Sequence, residues 1–416
     1  MTEKCDANHV SCPGCGARDF KTLMCMGNVP VFCNVLLASR SQACSAATGQ
    51  LKLVHCRSCD LVFNPRFDPS LVEYTSGYEN SLYHSPCFRD YADQVVQDLV
   101  DRLAIRNGFV VEIGCGQGEF LKELCVRAGA RGLGFDPSYD PGRGPDLPDS
   151  VTIRRELFYS QSIETRPDLI CCRHVLEHLH QPAEFLSQIV EEFTGGDGRV
   201  AVFFEVPNAL WVLENGSIWD VLYEHHTYFT LPALQWVFRQ AGFEALDVRQ
   251  TFGGQYLTMT AEIPLRSHIP SPPVAEQGSA VVTRFSNFGE ECERIISDWR
   301  DLVLERVSCG KSVVVWGAGS KGVMFLNLLN SSRDEIGHIV DLNPAKHGRF
   351  VPGTGQKVVA PVELTEIQPD VIIVMNPLYV DEIRAMTKGL GVETELLLAC
   401  GIETSKRKQT QERASV

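Results

Sequence analysis

Several large classes of protein are excluded by what this chain has little of. Across its 416 residues no apolar run approaches the roughly 20 residues that a membrane helix needs. The opening stretch MTEKCDANHV lacks a charged-then-apolar leader pattern, so a soluble, cytoplasmic protein with no membrane partner is expected. Basic charge is scarce: 38 Lys and Arg stand against 52 Asp and Glu, a net charge of −14. That balance argues against a nucleic-acid partner, because binding phosphate needs a basic surface. No repeat of solenoid type is visible. The remaining class is a globular protein of two or three domains acting on a small molecule, as a monomer or weak homo-oligomer.

Cysteine, by contrast, is abundant and uneven. Of 16 in the chain, Cys5, Cys12, Cys15, Cys25, Cys33, Cys44, Cys56 and Cys59 crowd the N-terminal end. Cys12 and Cys15 in SCPGCGARDF, and Cys56 and Cys59 in HCRSCDLVFNP, each form a C-x2-C turn. Two such turns can close a tetrahedron around Zn²⁺, and four sulfurs leave no open position for water, so a structural zinc is expected there. Cys25, Cys33 and Cys44 show no paired spacing and read as ordinary small apolar residues.

Beyond this module the chain alternates apolar runs with amphipathic segments. FVVEIG, ARGLGFD, PDLICCRHV, RVAVFFEVPN and EALDVRQT read as strands, and GEFLKELCVRAG and PAEFLSQIVEEF as helices. The alternation predicts an α/β fold with a mostly parallel sheet. A proline-rich break and a helical stretch lead into a second α/β run that opens with KSVVVWGAGSKG. The expected units are a zinc module (1–70), an α/β core (71–265), a helical linker (266–308), a Rossmann-like α/β domain (309–402) and a disordered tail (403–416).

Two glycine turns carry the chemistry of ligand binding. In VVEIGCGQGEFLKEL, Glu112, Gly114, Gly116 and Gly118 follow E-x-G-x-G-x-G between strand and helix, and Asp136 ends the next strand, where an acid can take ribose hydroxyls. DLICCRHVLEHLHQP reads as a strand ending in His174 and running into a helix, with Glu177 and His178 at the helix mouth; His180 reads as a surface histidine. The second turn holds Gly317, Gly319 and Gly322 with Asp341 downstream. Read alone it suggests NAD; a phosphate contact at the helix start or a structural duty competes with that.

The stretch LYEHHTYFT, residues 222–230, sets Glu224, His225 and His226 side by side. Adjacent histidines do not share a face well, so a metal is the weaker reading and a catalytic base the stronger, with a structural loop as the third. His226 is expected to face outward. FGGQYL, with Gly253 and Gly254, reads equally as a turn or as a place where backbone approaches a ligand.

Taken together, the four-cysteine module, EIGCGQG, RHVLEH, EVPN, YEHHTYF, GGQYL and VVVWGAGSKG resemble the S-adenosylmethionine (SAM)-dependent sugar C-methyltransferases over roughly residues 10–400. The resemblance implies a zinc module, a class I methyltransferase core and a C-terminal Rossmann-like domain, with SAM as methyl donor and a nucleotide-linked keto-sugar as acceptor. It implies His225 as base, Glu224 as its acidic neighbour and Tyr223 beside them. It implies Glu112, Gly114, Gly116, Gly118, Asp136, His174 and His178 around SAM, and Tyr78, Asn208 and Tyr228 around the acceptor. One departure stands out: Leu222 sits where some members carry a tyrosine two residues before the glutamate. An O- or N-methyltransferase of small molecules is the alternative, since the same base could deprotonate a hydroxyl. A nucleic-acid methyltransferase and a non-enzymatic binding protein are the more distant readings.

Overall fold

A computed structural model describes residues 10–74, 77–196, 198–266 and 287–400. Cys5, the expected tail and the first part of the expected linker lie outside the described residues.

The central sheet has seven strands in the order Glu244–Thr251, Tyr256–Ile263, Val200–Pro207, Leu169–Arg173, Phe109–Ile113, Arg131–Phe135, Val151–Arg154. The last five run parallel. Tyr256–Ile263 is antiparallel to both of its neighbours. Strands such as FVVEI and LICCR are apolar almost throughout because helices cover both faces of the parallel part. Local signals set those helices. Pro86–Leu103 starts where Ser85 Oγ accepts from the Phe88 amide with Pro86 in the first turn. Glu119–Ala128 ends at Gly129 in the left-handed region. The parallel strands all end at one edge, and the loops there, after Ile113, Phe135 and Arg173, hold the glycine turn, Asp136 and His174.

A five-stranded parallel sheet forms the C-terminal part, ordered Lys357–Val359, His338–Val340, Val313–Trp316, Val371–Val374, Glu395–Leu398. The N-terminal sheet joins Phe20–Pro30, Thr48–Cys56 and Val62–Phe63 to a fourth strand, Thr227–Tyr228, which comes from the middle of the chain. The EHH segment is therefore the buried turn that leads directly into the cysteine module's sheet rather than an exposed loop.

One apolar cluster knits these parts together. The helix Phe288–Ser308 turns Phe288, Cys292, Ile295, Trp299 and Val303 inward at helical spacing. Trp299 meets the Phe325 ring at 5.5 Å, and Trp219 meets the same ring at 4.7 Å. Both indoles find acceptors: Trp219 Nε1 donates to the Ala399 carbonyl and Trp299 Nε1 to that of Cys400. Two expectations fail here. Cys25 and Cys44 are exposed, so only Cys33 behaves as a small core residue. His226 is buried, stacked on Phe67 and His180, because Phe63 and Phe67 of the cysteine module cover the bend it occupies.

Phe325→Ala is expected to cost about 3–5 kcal/mol, since it empties the contact between two buried tryptophans. Urea unfolding followed by tryptophan fluorescence would measure it.

Candidate active site

Two cavities meet at the carboxyl edge of the central sheet. The first, of about 290 Å³, is bordered by Gly114, Gly116, Asp136, Ser138, Phe158 and Val175. Its floor is the glycine turn. Gly114 and Gly116 have φ of 68° and 56°, and a Cβ on Gly114 would lie 2.1 Å from Val175 Cγ2. Asp136 closes the turn: one carboxylate oxygen accepts from the Gly116 amide at 2.8 Å, the other from the Ser138 amide and hydroxyl at 2.7 and 2.6 Å. Glu112 and Gly118 lie outside this cavity. Glu112 sits buried beneath the turn, where burial raises its pKa to about 8 against the pull of Arg173. Gly118 caps the following helix with its Cα against Ile153. Both shape the loop from behind rather than facing a ligand.

The second cavity, of about 280 Å³, lies between the central sheet and the C-terminal part. Tyr78, Asn80, His174 and His178 border both cavities and form the wall they share. Glu177, His225, Trp211, Gln255 and Tyr256 face the second one from the central side. Gly317, Gly319, Ser320, Lys321, Asn376 and Tyr379 face it from the other. Gln255 and Asn376 exchange amide hydrogen bonds across the junction at 2.9 and 3.0 Å, which ties the two sides at a fixed distance.

The charges of the shared wall rest on a buried network. Arg173 Nη2 donates to Glu205 Oε1 at 2.8 Å, and Tyr91 donates to the other Glu205 oxygen. His174 Nε2 lies 3.0 Å from Glu205 and Nδ1 3.5 Å from Glu177. Burial disfavours charge on Glu205, but Arg173 and His174 outweigh it and bring its pKa to about 2. Burial likewise opposes the His174 imidazolium, yet the Glu177 and Glu205 carboxylates raise its pKa to about 9. His225 has the reverse environment: burial, aided by His178 and His174, pushes its pKa well below the ordinary value. One histidine of the cavity is therefore held charged and another held neutral. His174 also has a left-handed backbone, φ 53°, uncommon outside glycine.

Several expected site residues are placed elsewhere. Tyr223 is turned into the cysteine module, where its hydroxyl accepts from the Asp68 amide at 2.9 Å. Tyr228 donates to the Leu222 carbonyl at 2.6 Å and accepts from the Leu222 amide, bracing the loop under His225 without reaching a cavity. Asn208 is used up as a helix cap, accepting from Leu210 and donating to the Gly254 carbonyl. Glu224 is fully buried, with one oxygen accepting from the Cys33 amide at 2.6 Å. The chain turns at Tyr223–Glu224 before entering the strand Thr227–Tyr228, and the turn directs Glu224 to the Cys33 amide while His225 borders the second cavity. Leu222, His225, Tyr78, His174 and His178 do border the second cavity.

Sequence reasoning missed that Glu177 comes within 4.8 Å of His225, and it missed Lys321 and Trp211. Lys321 Nζ pairs with Asp220 at 2.9 Å and lies 5.1 Å over the Trp211 ring. A lysine directly after the second glycine turn was the available signal. In that turn Asp341 accepts from the Ala318 amide at 2.8 Å and pairs with Lys346, and a Cβ on Gly322 would lie 2.0 Å from the Gly317 carbonyl oxygen. Gly253 and Gly254, with φ of 62° and 86°, form a turn that presents Gln255 and Tyr256 to the cavity.

Outside the linings of both cavities, Cys12, Cys15, Cys56 and Cys59 gather with their sulfurs within 4.8 Å of one another. Cys12 and Cys59 are 3.6 Å apart, Cys15 and Cys56 3.5 Å. A tetrahedron with Zn–S bonds of about 2.3 Å has edges of about 3.8 Å, so this donor set fits zinc.

Comparison with known proteins agrees with this geometry. A methyltransferase domain family matches residues 88–248, and a C-methyltransferase C-terminal domain family matches residues 274–395. The chain is similar to C-methyltransferase NovU of Streptomyces niveus, 27% identical over 396 residues, which are 89% of this chain and 90% of that protein. Among solved structures it is similar to Burkholderia thailandensis 1,6-didemethyltoxoflavin-N1-methyltransferase with bound S-adenosylhomocysteine, at 19% identity over 43% of this chain and 81% of that one, TM-score 0.33. It is similar also to human N-acetylserotonin methyltransferase in complex with SAM, at 16% identity over 42% and 56%, TM-score 0.32.

Gly114→Ala adds a methyl group where Val175 stands and where φ is positive. The left-handed strain alone is about 1–2 kcal/mol, so SAM affinity is expected to fall about tenfold or more. Isothermal titration calorimetry would read the change.

Proposed function

We propose that this chain, a SAM-dependent methyltransferase of the C-methyltransferase family, methylates a carbon beside a ketone of a nucleotide-linked deoxysugar. The observation that carries the reading is the common wall of the two cavities, Tyr78, Asn80, His174 and His178, with His225 facing the second cavity. SAM supplies an electrophilic methyl group. The first cavity, with the glycine turn and Asp136, suits its binding, and the second suits the acceptor.

A carbon beside a ketone is a poor nucleophile until it loses a proton. His225 is the residue for that step, because it faces the acceptor cavity and burial keeps it neutral at physiological pH. The enolate that forms carries negative charge on oxygen. His174, held as an imidazolium on the shared wall, supplies the compensating positive field, and the Tyr78 hydroxyl lies at the same wall. The extension of the cavity to Gly319, Ser320 and Lys321 supports a nucleotide-linked acceptor, since a helix start with a lysine suits phosphate. The same turn is a poor NAD site on this reading, with Asp341 already engaged by Ala318 and Lys346.

Zinc, held by Cys12, Cys15, Cys56 and Cys59, would have a structural role. Those turns abut the sheet that carries Thr227–Tyr228, so the metal holds the frame on which His225 stands.

In D2O, with a panel of nucleotide-linked 4-keto-deoxysugars, the protein is expected to exchange a proton beside the ketone for deuterium and, with SAM, to add a carbon-bound methyl. His225→Ala should keep SAM binding and lower both by about 100-fold or more, the usual worth of a general base. Mass spectrometry checks it; methyl gain on a hydroxyl or amine without exchange would favour the O- or N-methyl alternative. Metal analysis should find one zinc per chain, and Cys59→Ser should lower Tm and turnover while leaving SAM affinity largely unchanged.

A further inference from the structure

The expected orienting carboxylate, Glu224, faces away from His225 toward Cys33. His225 is nevertheless in need of one. It is buried, its Nδ1 has no hydrogen-bond partner among the described residues, and the imidazoles of His178 and His174 around it oppose its taking a proton. A base in that setting is weak unless an anion stabilises the imidazolium.

Such an anion stands beside it. Glu177 is 1% exposed, and neither of its carboxylate oxygens has a hydrogen-bond partner among the described residues. Its ionic neighbour is His174, 3.5 Å away, but a buried carboxylate that accepts no hydrogen bond costs free energy, so its retention next to a base calls for a role. Donor atoms of Glu177, His178 and His225 all lie within 4.8 Å of one another. His178 is otherwise committed, with Nδ1 2.7 Å from the Tyr74 hydroxyl and 3.1 Å from the Glu224 carbonyl oxygen. The other groups facing His225 are the His178 ring at 4.8 Å and the Tyr228 ring at 5.7 Å, and the Tyr228 hydroxyl is taken by Leu222. Glu177 also lies 3.5 Å from His174, so it joins the charged histidine to the neutral one.

We propose that Glu177 is the positioning carboxylate of His225. It accepts a hydrogen bond from His225 Nδ1–H once the acceptor tightens the site, and so selects the tautomer with Nε2 free. Nε2 takes the proton from the carbon beside the ketone, and the C–H electron pair stays on the acceptor as the enolate. Glu177 stabilises the resulting imidazolium until its proton returns to water after methyl transfer. This role rests on His225 being the base of the proposed reaction.

The test uses the full-length protein with Glu177→Gln and Glu177→Asp. Histidine ¹⁵N NMR, which needs no acceptor, should show the His225 pKa lower in Glu177→Gln than in the wild type, because a carboxylate favours the charged ring and an amide does not. With a 4-keto-deoxysugar nucleotide and S-adenosylhomocysteine, deuterium exchange should fall about 100-fold in Glu177→Gln, with its acid limb moved to lower pH, and Glu177→Asp should recover part of it. SAM affinity should hold within about twofold in both, as a control for folding. An unchanged His225 pKa together with wild-type exchange in Glu177→Gln would overturn the role while leaving His225 as base. Loss of wild-type exchange on chelation, regained with Mg²⁺ or Mn²⁺, would overturn it in favour of a cation held by Glu177, His178 and His225. Absence of exchange by the wild type on every ketone would remove the base reading itself, and this role with it.

Discussion

The pairing of Thr227–Tyr228 with Val62–Phe63 is the contact on which the rest of the site depends. Through it a segment of the central part becomes the edge of the cysteine module's sheet. Neighbouring bonds reinforce the pairing: the Asn64 amide donates to the His226 carbonyl, Asp68 to Tyr223, and Cys33 to Glu224. Tyr223, Glu224 and His226, on either side of His225, are thereby held by partners remote in sequence. The four-cysteine cluster and the candidate base are joined through this short ladder.

The two cavities follow from the topology of the central sheet. Parallel strands end together, so the glycine turn, Asp136 and His174 come to one edge without special arrangement. The Arg173–Glu205 pair then fixes the charge of that edge. It is a buried ion pair, and breaking one partner would strand the other charge in the interior. The structure adds Tyr91 and His174 to share the Glu205 carboxylate, and the left-handed backbone of His174 fits a residue held by its surroundings for use. The outcome is a pair of histidines in one cavity with opposed protonation preferences, which is the pattern of an acid–base site.

The C-terminal sheet contributes a wall rather than a separate centre. Its glycine turn is braced from within, with Gly322 against the Gly317 carbonyl and Asp341 accepting from the Ala318 amide, while Gly317, Gly319 and Asp341 border the second cavity. Ser320, Lys321 and Asn376 border it as well, and the Gln255–Asn376 amide pair holds that wall in place.

Features set by neighbours in sequence were legible in the chain itself. The C-x2-C pairs, the glycine turns after apolar strands, the Ser85–Pro86 helix start and the inward stripe from Phe288 to Val303 all depend on spacings of a few residues, and those spacings determine local geometry. The box singled out His225, and the structure places it at the second cavity. Direction and partnership were not readable. Whether Tyr223 or Leu222 borders a cavity, which way Glu224 turns, and whether His226 sees solvent are decided by the turn that precedes Thr227–Tyr228 and by what packs against it. Only the tertiary structure, which lays residues 222–230 on the cysteine module, decided them.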